Sequence, residues 1–220
     1  MHYLTGAFFL FLYLMSMTPA NAADPEGISS EPLKPGVFLV SSPRLRDPNF
    51  LHTVVFLVTY GKEGASGLII NRPTDVPLHQ ALPDIKGIEH LSKPVYFGGP
   101  VNFDRMLALL RTDAALPGAQ KVLDDVYFAA DGTIVTDALR NLNADKTIRI
   151  YAGYSGWSPG QLDSEMARGD WIRREADPAA IFSEDPSQLW PAFFEKEEKI
   201  EIRFPGRERG QIVSPGMVVQ

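Results

Sequence analysis

The sequence predicts a single α/β (α+β) domain built on a mostly antiparallel or mixed sheet, and three observations carry that expectation. Short β-branched and aromatic runs recur, bounded by Gly, Pro, Asn or Asp. Several of these runs follow one another with no helical pattern between them, as antiparallel neighbours can. About four segments with helical spacing are set among them. A chain of 220 residues, 45% hydrophobic and 22% charged, is long enough to bury a core, which excludes collagen-like, coiled-coil and wholly disordered readings.

The chain begins with an address. Leu4 to Met17 is an uncharged apolar run, about 14 residues where a helix crossing the bilayer needs roughly 20. It leads to Ala20-Asn21-Ala22, the small-x-small pattern read by signal peptidase, and then to polar Asp24-Pro25-Glu26. Residues 1–22 are therefore expected to be a signal peptide cleaved after Ala22, although Met1-His2-Tyr3 supplies no positive charge before the apolar run. No other segment approaches transmembrane length, so the mature chain is expected to have no membrane span and to be periplasmic or secreted. Residues 23–35, rich in Pro, Ser and acid, read as a linker.

Strands are expected at 36–42, 53–60, 67–71, 94–99, 106–112, 125–130 and 147–154. Several are apolar at nearly every position, which points to strands covered on both faces. Helical spacing appears at 76–83, 133–142, 159–169 and 186–197. The domain thus runs from 36 to 195. Residues 196–220 form a charged extension in which Ile200, Ile202 and Phe204 alternate with charges, as in an edge strand.

Composition narrows the chemistry. The 27 acidic residues outnumber the 21 basic ones for a net charge of −6, so no general positive field draws in nucleic acid. Cysteine is absent, which removes disulfides, thiolate metal sites and thiol nucleophiles. There are four histidines, and His52, His79 and His90 have no second histidine at ligand spacing. No metal and no cofactor is implied. Gly153-Tyr154-Ser155-Gly156-Trp157 lacks the second glycine of a nucleophile elbow, and no glycine-rich stretch is followed by the Lys-Ser/Thr of a phosphate loop.

The best-defined local piece is 153–171. Ser158, Pro159 and Gln161 have the spacing of a capping box, with Trp157 and Leu162 placed as a hydrophobic staple and Gly169 as the stop. Local physics accounts for these residues; the functional alternative is a helix start delivering free amides to a cleft where Tyr154, Gln161 and Glu165 meet a ligand. Asn71-Arg72-Pro73, at a strand end, offers a similar choice. Arg72 either pairs with an acid such as Asp47 or Glu165, or faces an anionic ligand that suits its planar fork. In the loop 41–55, Phe50 reads as a core plug and Asp47 as a turn former or ion-pair partner.

Taken together, GVFLVSSPRLRDPNF, GASGLIINRP, PVYFGGPV and GYSGWSPGQLDSEMARGDW, in that order between about Leu33 and Phe194, resemble the YqgE/AlgH family. The resemblance implies one α/β domain whose sheet is bent into a partly closed barrel flanked by helices. It brings no catalytic residues. Members often carry histidines where this chain has Tyr60 and Leu110, so a mechanism needing those imidazoles does not transfer.

The leading expectation is a non-catalytic binding or regulatory module of the cell envelope. Its ligand candidates are Asp47, Asn71, Arg72, Tyr154, Trp157, Gln161 and Glu165 around one cleft, and its partner is an unknown protein or a small anionic ligand. The alternative is a hydrolase with Glu165 or Asp47 as general base, Arg72 on an anionic substrate, and the amides before Gln161 facing developing negative charge.

Overall fold

The structure is a computed structural model that describes residues 31–141 and 147–195. The expected signal peptide, most of the expected linker, and the expected extension with its candidate edge strand lie outside the described residues. Ten strands are present among them: β1 (Val37–Ser41), β2 (Val54–Gly61), β3 (Gly64–Ile69), β4 (Pro73–Pro77), β5 (Pro94–Phe97), β6 (Val101–Arg111), β7 (Gln120–Leu123), β8 (Val126–Ala129), β9 (Thr147–Trp157) and β10 (Trp171–Glu175). The helices are α1 (Leu78–Ala81), α2 (Gly132–Arg140), α3 (Gln161–Ala167), α4 (Pro178–Ile181) and α5 (Leu189–Glu195), with a 3₁₀ turn at Pro186–Gln188.

The sheet runs β10-β1-β2-β3-β9-β6-β8-β7, with β5 lying beside β9 and β4 beside β5. Every pairing is antiparallel except β5 on β9. The direct succession of strands therefore has the predicted consequence. The expected strands and four helical segments all appear. Three short strands and α4 are additional: β4 begins and ends on proline, β7 is only four residues long and begins with Gln120 and Lys121, and β10 carries Arg173 and Arg174, so none has the apolar signature. Helix α4 owes its start to Asp177, whose carboxylate accepts from the Ala179 amide ahead of Pro178.

Side chains alternate between two apolar layers. Phe38, Val40, Val54, Phe56, Val58, Leu68 and Ile70 meet Leu107, Leu109, Val126 and Tyr151 from the far strands, so this cluster is the interior of a curled sheet. Val37, Leu39, Val55, Leu57 and Ile69 point the other way, under Leu162, Trp157 and Trp171. A third layer covers the outer face of β6, β8 and β9 with α1 and α2. Both faces of β1 are thus buried, as its unbroken apolar run predicts.

The curl is incomplete. No ladder joins β7 to β2; instead Gln120 donates from Nε2 to the Val58 carbonyl at 3.0 Å, across the gap. At the same seam Gly36 comes so close that a Cβ there would lie 2.8 Å from the Val122 carbonyl oxygen. One end of the barrel is plugged. Buried Arg149 donates to the Ile181 carbonyl at 2.7 Å and to the Ser183 carbonyl, and its guanidinium lies 4.5 Å from the Tyr96 ring centroid. Trp190 Nε1 donates to the Ser41 carbonyl at 2.8 Å, and Phe193 packs edge-on to Phe38. The segment from α4 to α5 is thereby fastened into the interior cluster.

The tightest constraint is where β5 ends against β9. The Gly98 amide donates to the Ala152 carbonyl and the Gly98 carbonyl accepts from Ile69, both at 2.9 Å. A Cβ on Gly99, whose φ is +147°, would lie 2.3 Å from the Tyr154 carbonyl carbon. One on Gly153, at φ +69°, would lie 2.6 Å from the Gly99 carbonyl oxygen. Backbone meets backbone here, and side chains have no room. Gly99→Ala is expected to cost at least about 3 kcal/mol through strain and overpacking. Gly132→Ala, at the exposed start of α2 with nothing near its Cβ, is expected to be neutral or to stabilise by up to about 1 kcal/mol. Urea unfolding midpoints measure both, and equal midpoints for the two variants contradict the crossing's role.

Candidate functional site

Strand β9 delivers Trp157 to the outer apolar layer, and the chain then turns through Ser158-Pro159-Gly160-Gln161. This is a type II β-turn: Gly160 has φ +73° and ψ −4°, and the Gln161 amide donates to the Ser158 carbonyl at 3.0 Å. The expected capping box is therefore only half present. Gln161 Oε1 does reach back to the Ser158 amide at 3.1 Å, but the helix N-cap is Gly160 and no side chain caps it. A second-position glycine in the left-handed region sets the turn, which displaces Ser158 from the cap. At the other end Gly169 donates to the Met166 carbonyl and Asp170 to the Glu165 carbonyl, the paired bonds of a Schellman stop. Leu162 is buried and Met166 half-buried in the outer layer, as their shared face predicts.

The centre of this region is Glu165. Its Oε2 accepts from the indole N–H of Trp157 and from that of Trp171, each at 2.8 Å, while Oε1 accepts from Gln161 at 2.9 Å. Phe50 stacks on Trp157 at 6.2 Å and meets Trp171 edge-on at 5.4 Å, as a plug between loop and layer. Both indoles are nearly fully buried, so the carboxylate satisfies two donors that water does not reach.

The loop 42–52 is braced from below. Asn71 accepts from the Val54 amide and donates to the His52 carbonyl, both at 2.9 Å. Arg72 donates to the carbonyls of Asn49 at 2.5 Å and Leu51 at 2.7 Å. Burial lowers the Arg72 pKa from its ordinary value. Arg72 thus pairs with neither Asp47 nor Glu165, because two backbone carbonyls of the loop occupy its fork. Asp47 accepts from the Asn49 amide at 2.9 Å and forms the turn expected of it.

Two hollows flank the end of β9. One, of about 490 Å³, lies between the loop and α3 and is lined by Asp47, Trp157, Gln161 and Glu165 together with Arg44, Arg46 and Arg168. The other, of about 820 Å³, is the open mouth of the barrel, bordered by the β2–β3 hairpin and by Tyr154. Of the seven residues singled out from sequence, four share the first hollow. Tyr154 belongs to the second, because positions 154 and 157 of one strand face opposite sides. Asn71 and Arg72 line neither and act as braces. The expected single cleft is thus two hollows and a support.

Sequence reasoning passed over Arg44 and Arg46, which lie in the loop with no periodicity to mark them. Neither has an ion-pair partner among the described residues. Arg168 is held by Asp170, with Nε and Nη2 donating to one carboxylate oxygen at 3.0 and 2.7 Å. Beside α3, Tyr60 donates to Asp163 at 2.5 Å, and this bond raises the phenol pKa. Among the described residues no group of three or more His, Asp or Glu side chains is placed to hold a metal ion, and no helix is long and apolar enough to cross a membrane.

A family model described as AlgH-like matches residues 38–199. The chain is 40% identical over 150 residues to a UPF0301 protein of Marinomonas sp., covering 66% of this chain and 79% of that one. It is 32% identical over 162 residues to a UPF0301 protein of Chlorobaculum tepidum, covering 73% and 84%. The fold is similar to the solution structure of the AlgH protein from Pseudomonas aeruginosa, with a TM-score of 0.63 and 26% identity over 80% of this chain and 95% of that one. A crystal structure from Corynebacterium diphtheriae shares the fold at a TM-score of 0.64 and 20% identity, over 76% and 88%.

The three bonds to Glu165 make a stability prediction. Glu165→Ala leaves two buried indole donors unpaired and is expected to cost about 2–4 kcal/mol, whereas Glu165→Gln, which keeps an acceptor oxygen, loses less than half of that. Urea unfolding of the two variants checks this, and equal losses contradict the assignment.

Proposed function

The chain belongs to the AlgH-like family, and from that premise we propose that it is an exported, non-catalytic binding module that takes an anionic group of a small ligand or protein partner into the hollow between the 42–52 loop and α3. The observation that carries the reading is the pair Arg44 and Arg46, without an ion-pair partner among the described residues, on a loop that Asn71 and Arg72 hold at three backbone carbonyls. A guanidinium presents a planar fork of donors suited to carboxylate and phosphate, and a braced loop limits the ordering cost of binding. The hollow's three arginines are matched in number by Asp47, Glu165 and Asp170, but each of these acids is turned to its own donors, which leaves the forks of Arg44 and Arg46 to a ligand. Glu165 accepts from three donors, Asp170 is engaged by Arg168, and Asp47 caps a turn.

The same engagement argues for binding over hydrolysis. A general base needs an oxygen within reach of the proton it takes. Both oxygens of Glu165 already accept hydrogen bonds, and Arg72, assigned to the substrate in the hydrolase reading, is turned to the loop carbonyls. Export is supported by the apolar run Leu4–Met17 and the Ala20-Asn21-Ala22 site that follows it.

Pyrophosphate serves as the probe for the hollow. It is expected to raise the melting temperature of the chain in low salt, by about 2–4 °C for each kcal/mol of linkage in a domain of this size. The Arg44→Ala/Arg46→Ala variant is expected to bind it at least tenfold more weakly. Equal affinity in wild type and variant contradicts the site. For export, N-terminal sequencing of the protein from fractionated cells is expected to begin at Ala23; a cytoplasmic protein that retains Met1 contradicts it.

A further inference from the structure

The barrel mouth lies on the other side of β9 from the arginine hollow, and its chemistry differs. We propose that it is a separate binding site for a small amphiphile, one with an apolar chain and a single anionic end, a carboxylate or a phosphate monoester. This inference does not rest on the function proposed above.

Its volume of about 820 Å³ falls within the roughly 300–1,000 Å³ usual for small-molecule sites, which favour the mouths of β-barrels. The floor consists of inward-facing Val58, Leu68, Leu107 and Phe128, continuous with the interior cluster. The far end is closed by Arg149, Trp190 and Phe193, so an apolar chain has its entrance at the mouth. Gly156 keeps the wall low: a Cβ there would meet the Tyr154 ring at 3.1 Å.

The rim is where specificity lies. Lys62, on the turn between β2 and β3, and Arg105, on β6, both border the mouth, and neither has an ion-pair partner among the described residues. Glu63 is the sole acidic side chain among those lining it. A chain of net charge −6 therefore presents a locally positive rim around an apolar floor. Thr59 and Ser66 share one hydrogen bond at 2.7 Å, which uses one of their two hydroxyl protons and leaves the other to donate. The Tyr154 hydroxyl makes no hydrogen bond among the described residues, and it too borders the mouth. An anionic head at the rim meets two cations and two free hydroxyl donors while its chain displaces water from the floor.

Isothermal titration calorimetry of the full chain tests this with decanoate, decyl phosphate and decanol. Decanoate, decyl phosphate or both are expected to bind, and decanol at least tenfold more weakly. In Lys62→Ala/Arg105→Ala, substituted at two exposed positions, anion affinity is expected to fall at least tenfold and the preference over decanol to disappear. Ser66→Phe, which fills the mouth opposite Gly156, is expected to abolish binding of all three with the near-UV circular dichroism retained. Should that variant fail to fold, the double alanine variant decides alone. Wild-type protein that takes up neither anion at millimolar concentration, or unchanged affinity in the double variant, overturns the proposal. Preference for one of the two anions identifies the head group.

Discussion

Strand β9 must serve three neighbours in eleven residues, and the structure depends on how it does so. Its first half lies between β6 and parallel β5; its last three residues lie against β3. The exchange of neighbours happens at Gly153, where β5 stops at Gly98-Gly99 and the two backbones pass at distances that exclude a Cβ. Glycine is required there for sterics and for the positive φ of Gly99 and Gly153. The ladder between β6 and β9 shifts register across this point, and such an irregularity bends a strand, which accords with a sheet that curls without closing. The crossing is thus a backbone device with consequences for both faces.

Because the bend lies four residues before Trp157, the end of β9 becomes a wall shared by two hollows. Gly156 and Trp157 line both. On the outer side Trp157 fixes Glu165, which fixes Trp171 and Gln161, and with them the position of α3 against the arginine loop. On the inner side the absent side chain of Gly156 makes room for the Tyr154 ring and the mouth. The two sites differ in character because the two faces of a strand differ: one is roofed by helix and loop, the other opens into the core. Arginines on a braced loop suit a compact anion, and a lysine and an arginine above an apolar floor suit an anion with a tail.

Much of this was legible in the sequence, and the failures have physical causes. The unbroken apolar runs of β1 and β2 gave away strands buried on both faces, and the direct succession of strands gave the antiparallel sheet. Strands β4, β7 and β10 escaped because proline, polar and arginine-bearing segments enter a sheet by pairing, and pairing partners are distant in the chain. Gly169 stopped its helix as read, while Ser158 lost the cap to Gly160 because a type II turn intervened. Asp47, Gln161, Glu165 and Trp157 border one hollow. Tyr154 does not: β9 runs on to Trp157, past the strand end expected at 154, and the period of two then sets the two side chains on opposite faces. Arg72 was misread for a deeper reason: its partners are carbonyl oxygens, which every residue has and no sequence distinguishes. Arg44 and Arg46, without ion-pair partners among the described residues, stand out only once the pairings around them are known.

Native-state hydrogen exchange at the crossing tests the central claim most directly. The amides of Gly98 and Ile69 bond across it, to the Ala152 and Gly98 carbonyls respectively. If the crossing is the constraint on which barrel and hollows depend, these two amides exchange only through global unfolding, with the same denaturant dependence as the slowest amides of β2 and β9. Exchange by a local opening of lower free energy, while β2 and β9 stay protected, contradicts the account.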